Sequence, residues 1–293
     1  MENIEKVEVF MVISTLLSKQ YKTLTIAAVA GTALVAFLTL QKRPIPMILT
    51  ETQSPLCVGQ ACQNQADLSY QNALEAIRKE FNIPQEEWQK AHQEFLDICE
   101  LNKDLFALNA KPKTIKDELK NRIRTILADA GINPDKVSID YTKEKGCPVS
   151  TFQEYTKGNH LKHSIAINKA WFTKHPIELQ NAIINHEITH LKNFDCIEYG
   201  IIAEVLKQHG VSPKVYENST SMQSFRHMRE LRADLLAGAR DTSIAQALHE
   251  DFCNCVARNY QEDLSSHPSS QTRLDQMTQL LNTMQVEPII KLA

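Results

Sequence analysis

Asn185-His186-Glu187-Ile188-Thr189-His190-Leu191 holds the residues whose types and spacing could do chemistry. The run reads H-E-x-x-H. On a helix, residues four apart lie one above the other on one face. His186 and His190 can therefore each give a ring nitrogen to one metal ion. Glu187, next to the first of them, can reach a water on that metal and take its proton as the water attacks a carbonyl. A catalytic zinc takes three protein ligands and leaves a fourth position for water, so a third ligand must come from elsewhere. Downstream, Arg229-Glu230-Leu231-Arg232-Ala233-Asp234 falls inside an expected helix from about 221 to 240. Glu230 and Asp234 share a face there, and Leu231, Leu235 and Leu236 would bury it. A buried carboxylate needs a cation or metal as partner. Glu230 is the candidate third ligand. Asp234 is the candidate to orient a ligand histidine through its second ring nitrogen. Without the upstream histidines, the same residues would read as a solvated face paired with Arg229 and Arg232. His267, in Ser265-Ser266-His267-Pro268, and Arg273 six residues later are candidates to supply positive charge or an N–H where negative charge develops on a tetrahedral intermediate.

These residues need elements to hold them. Pro176 suits a first helical turn, Glu178 sits near the positive end of the dipole, and Ile177, Leu179, Ile183, Ile184, Ile188 and Leu191 recur close to every 3.6 residues. That predicts the helix carrying the motif. Just before it, Lys136 to Tyr141, Val149 to Tyr155 and Leu161 to Asn168 alternate as strands do. In zinc peptidases that carry such a motif an edge strand lies along the cleft and pairs with the extended substrate, and by that likeness Leu161 to Asn168, with Ser164, Ile165, Ala166 and Ile167, is the candidate strand. His160 and His163 read as ordinary strand or turn histidines. Upstream, Leu68 to Phe81 and Glu86 to Leu108 have helical spacing broken at Asn82-Ile83-Pro84, which predicts an antiparallel helix pair. The pair could cap the domain, bind a partner or restrict the cleft. A further helix is expected from Thr114, as N-cap, to Ala130, with Gly131 as C-cap. The segment from Ile197 to Lys207 is too short and too charged for a membrane span, and 211–220 reads as a loop over the cleft. Cys253 and Cys255, with His249 nearby, point to different helix faces and read as packing residues.

The chain has 293 residues, is 43% hydrophobic and 23% charged, and has only 8 glycines, which predicts a mainly helical protein. A net charge of −3 gives no reason to expect a nucleic-acid partner. Its 7 cysteines are dispersed with no C-x-x-C, which favours reduced thiols, although Cys57 and Cys62 are near enough in sequence to pair. From Thr23 to Leu40 the chain runs 18 residues without a charge between Lys22 and Lys42, just long enough to cross a bilayer. We expect an uncleaved single-pass anchor there. Flanking basic residues are balanced, so its orientation is not readable, with the reduced, cytoplasmic side slightly favoured for the remainder. The expected organisation is an anchor region over 1–43, a linker over 44–66, a helical segment over 67–112, a metal-site domain over 113–285 and a tail over 286–293. The fold class is α+β, mainly helical, with a small sheet beside the H-E-x-x-H helix.

H-E-x-x-H, then E-x-x-A-D, then H-P-x-x-x-x-R, in that order, resembles the gluzincin peptidases of the HtpX and CAAX prenyl endopeptidase type. The run His186 to Asp195 is similar to the HtpX side, where an aspartate also closes the motif. The resemblance covers roughly 114–281. It implies a zincin-like domain with one Zn2+ on His186, His190 and Glu230, Glu187 as general base, and Asp234 behind the ligands. It also implies His267, helped by Arg273, at the transition state. HtpX-type proteins carry further membrane helices and the CAAX enzymes enclose an intramembrane chamber, neither of which this chain has the length or pattern to build. The expected function is a membrane-anchored zinc metalloendopeptidase acting on extended or unfolded protein segments, by analogy in membrane quality control. The alternative is a zinc-containing binding or chaperone-like protein that acts through its helical segment.

Overall fold

Three stretches of alternating apolar residues build one sheet: β1 (Val137–Thr142), β2 (Val149–Tyr155) and β3 (Leu161–Asn168). The computed structural model describes residues 57–107, 115–143, 148–156, 160–258 and 264–290, all within one unit, Ser54–Ala293. The strand order is β1-β3-β2, with β3 parallel to β1 and antiparallel to β2. One parity of each strand points into the core, where Val137, Ile139, Val149, His163, Ile165 and Ile167 are buried. This corrects the expected role of β3. It is the central strand, its ladder groups are shared between two neighbours, and Ile165 and Ile167 are fully buried. Ser164, Ile165, Ala166 and Ile167 therefore have no free edge to offer a substrate. Among the described residues β2 is the edge strand beside the motif helix, and its Thr151 carbonyl accepts from Cys196 Sγ at 3.7 Å.

The rest of the described chain is helical. In order come α1 (Cys57–Glu80), α2 (Gln85–Leu101), α3 (Glu118–Asp129), the short α4 (Lys169–Phe172), α5 (Ile177–Asn193), α6 (Asp195–Gln208), the short α7 (Pro213–Glu217), α8 (Thr220–Gly238), α9 (Thr242–Ala257) and α10 (Ser270–Ile290). Side-chain caps set several starts: Asp117 accepts from Lys120 N, Ser219 from Met222 N and Asp241 from Ser243 N. The start of α3 is thus Asp117 and not Thr114, which lies outside the described residues. Gly131 follows α3 at φ +78°, the left-handed end that glycine tolerates. The expected linker is partly helix, because α1 begins at Cys57, and the expected tail is helical as far as Ile290. The expected anchor, Thr23 to Leu40, lies outside the described residues. Among the described residues no helix is long and apolar enough to cross a membrane. The single-pass membrane assignment is corrected on that ground.

Apolar side chains gather in three clusters. One packs the sheet against Phe95 and Ile98 of α2, Ile123 and Leu127 of α3, and Ile184, Ile188 and Leu191 of α5. A second joins Tyr70, Leu74 and Ile77 of α1 to Ile202 and Leu206 of α6 and to Met222 and Phe225 of α8. The third joins Ala182 of α5 to Leu235 of α8, Leu248 and Phe252 of α9, and Met277 and Leu280 of α10. Helices α5 and α8 each border two clusters, so their polar faces are held rigidly against one another. Each fully buried Leu, Ile or Phe contributes roughly 1.5–3 kcal/mol by leaving water.

Candidate metal centre

Helix α5 turns His186 and His190 toward Glu230 of α8. His186 Nε2 lies 3.0 Å from His190 Nε2, 3.3 Å from Glu230 Oε2, and His190 Nε2 lies 3.5 Å from Glu230 Oε1. Two ligands each bound at about 2.0–2.1 Å to a tetrahedral zinc are about 3.3 Å apart, so the triangle has the size such an ion requires. Among the described residues this is the one group of three or more such side chains close enough to hold a metal ion. Glu230 and both histidines are at least largely buried.

Proton placement points the same way. His186 Nδ1 is 2.8 Å from Asp234 Oδ1, and His190 Nδ1 is 2.6 Å from Asp195 Oδ2. An ionised carboxylate only accepts, so each Nδ1 donates and each neutral ring keeps its lone pair on Nε2. Two lone pairs and a carboxylate then converge within one small buried volume, an arrangement that a cation satisfies. The ionisation of the surrounding acids supports it. Burial alone would raise the Asp195 carboxyl, but Arg232 and then His190 outweigh burial and hold it low. Burial also opposes the Asp234 anion, and Arg273 and His186 overcome it. Glu230 is held well below the usual carboxylate range, because His190 and His186 overcome its burial. Conversely, burial pulls the His186 imidazole down, yet Asp234 and Glu230 lift it to about 9. The centre therefore draws a positive charge, proton or metal.

Asp195 reaches His190 because the chain breaks at Phe194. Had α5 continued, a residue five positions after His190 would point about 140° away from it. Phe194 instead adopts φ 54°, ψ 35°, which ends α5, starts α6 and brings Asp195 back under the ring. The left-handed conformation costs a non-glycine residue about 1–2 kcal/mol. Edge-on contacts of the Phe194 ring with Phe106 and His163, at centroid distances of 6.1 and 6.0 Å, hold it there. Arg232 donates to Asp195 Oδ1 at 2.6 Å, and Arg229 lies 3.9 Å from Asp195 Oδ2.

Glu187 lies beside the ligand triangle and accepts a hydrogen bond from Thr151 Oγ1 of β2 at 3.1 Å. Burial is the main influence on its carboxyl and raises it above an ordinary glutamate. His267 stands at the rim, about half exposed, with Nε2 3.6 Å from Glu230 Oε2 and Nδ1 2.8 Å from Ser266 Oγ. Its loop is pinned to α8: Gln223 and His227 both donate to the Leu264 carbonyl, and Arg226 donates to that of Ser265. Arg273 is engaged behind the site. Its Nε and Nη2 both donate to Asp234 at 2.7 Å, and its guanidinium lies 4.4 Å from the centre of the Phe252 ring. Through these two bonds it orients Asp234.

The structure thus brings His186, Glu187, His190, Glu230, Asp234, His267 and Arg273 together, and leaves Ser164, Ile165, Ala166 and Ile167 in the core sheet. His163 is buried, hydrogen-bonds with Gln153, and is pushed down to about 4 by burial, as suits a neutral core histidine. Cys253 Sγ lies 3.8 Å from His249 Nδ1 without a third metal-type ligand among the described residues. Sequence reasoning left Thr151, Arg232 and Ser266 without a role. Nothing in a strand pattern says which threonine faces a helix. Asp195 carried a signal, its place at the close of the motif, but no stated partner. Compared with known proteins, the chain matches no family model, no curated protein and no solved structure.

Proposed function

We propose that this protein is a zinc-dependent metalloendopeptidase with a zincin-like site, similar to the HtpX and CAAX endopeptidase group. The observation that carries the reading is the convergence of His186, His190 and Glu230, with a carboxylate behind each histidine and Glu187 beside them. This donor set of two imidazoles and one carboxylate suits zinc best among common divalent ions. A bound zinc ion supplies Lewis acidity and makes water a usable nucleophile near neutral pH.

The chain's own residues supply the rest. Glu187 Oε2, oriented by Thr151, takes a proton from the attacking water and returns it to the leaving amide nitrogen. His267, exposed at the rim, can turn an N–H to the carbonyl oxygen as charge builds there, provided Ser266 donates to its Nδ1. Arg273 keeps Asp234, and through it His186, in register. Edge strand β2 runs beside Glu187, and a substrate lying extended along it would be an unfolded or flexible protein segment. The test is casein cleavage by the purified chain. Activity should vanish with a zinc chelator and return when zinc is added back. Cleavage that persists after complete chelation would sink the proposal.

A further inference from the structure

Helix α1 lies far upstream of the metal ligands in sequence, yet its side chains reach the charges behind them. The Tyr70 hydroxyl donates to Glu198 Oε2 across 128 residues of chain. Glu198 is three residues after Asp195, so both project from one face of α6, and both are buried. The Tyr70 ring lies against the Arg232 guanidinium, 3.7 Å from ring centre to carbon. Arg232 in turn donates to Asp195, which holds His190. Arg232 Nε has no hydrogen-bond partner among the described residues, so the aromatic face is what steadies that edge of the guanidinium. Asp67, one turn earlier on α1, adds a further negative charge acting on Arg232.

We propose that helix α1 is part of the metal centre: Tyr70, through Glu198 and Arg232, is a positioning residue that fixes Asp195 against His190 and so sets how tightly the site holds its metal. The inference rests on the metal reading above but does not need the peptidase activity. It also goes against the view of the upstream helices as a removable regulator. Partners behind a ligating histidine typically alter metal affinity 10–100-fold, and Tyr70 is one contact further out. Loss of its hydroxyl should therefore cost about threefold to tenfold, a smaller share of that range.

The experiment uses the full chain and measures zinc affinity by competition with a chromogenic chelator, alongside thermal unfolding. Tyr70→Phe keeps the ring and removes only the hydroxyl, leaving Glu198 buried without its donor. It should weaken zinc binding by about threefold to tenfold. Adding Glu198→Gln to Tyr70→Phe removes the unpaired charge and should restore most of the affinity. Leu74→Ala, a buried apolar change on the same helix, should lower the unfolding midpoint and leave the affinity of the folded protein unchanged. Affinity in Tyr70→Phe equal to wild type would overturn the inference, as would an equal loss in Leu74→Ala, since α1 would then act through packing alone. A wild type that holds no zinc would overturn the metal reading itself, and this inference with it.

Discussion

Asp195 and Asp234 each decide the tautomer of one histidine of the candidate metal site, and neither belongs to its His186, His190 and Glu230 triangle. Replacing either by asparagine keeps the shape and removes the charge that holds Nδ1–H in place. Asp195→Asn and Asp234→Asn should each weaken zinc binding about 10–100-fold, measured by chelator competition. An unchanged affinity would mean that the ligands are positioned by packing alone. Protonation makes a second prediction at this scale. With His186 held at about 9 in the metal-free site, a proton competes with metal for its Nε2 below that pH. His190 is held up as well, by Glu230 and Asp195 against its burial, so apparent zinc affinity should rise with pH from 6 through about 9; a flat profile over that range would contradict the assignment. Burial raises Glu187, so the acid limb of kcat/KM should lie above the pH at which an ordinary glutamate ionises. The candidate ligands on α5 and Glu187 were legible in the sequence because a helix enforces fixed spacing. The job of Arg273 was not, since its two bonds to Asp234 join helices whose packing no local pattern reveals.

Among the elements, the junction of α5 and α6 matters most. Phe194→Gly would relieve a left-handed strain of about 1–2 kcal/mol and delete a buried ring worth about 3–5 kcal/mol. The variant should lose about 1–4 kcal/mol in urea unfolding, and an increase in stability would show that the ring contacts contribute little. Sequence spacing placed α5, α8 and all three strands close to their observed bounds. It could not place the break at Phe194, because neither glycine nor proline marks it. It also misassigned β3, for alternation shows that a strand has one buried face and says nothing about its neighbours. The edge strand beside the site is β2, and that follows only from the strand order. The helical start at Cys57 was hidden for a related reason: the stretch before Leu68 is rich in polar residues, and polarity there read as linker.

At the scale of the molecule, the upstream helices and the metal helices form one body of packing. Helix α1 shares a cluster with α6 and α8, and α2 shares one with the sheet and α5. Deleting 57–112 should therefore give a poorly folded protein and not a more active one, as judged by circular dichroism and solubility. A soluble, folded and hyperactive truncation would restore the picture of a detachable cover. The central claim is that this body holds zinc on His186, His190 and Glu230 and uses Glu187 to hydrolyse peptide bonds. Its most direct test pairs the wild type with Glu187→Gln, measuring bound zinc and casein cleavage on the same preparations. The account predicts about one zinc per chain in both, as a single three-ligand site requires, and cleavage only in the wild type. Equal cleavage by the two, or a wild type without zinc, would contradict it.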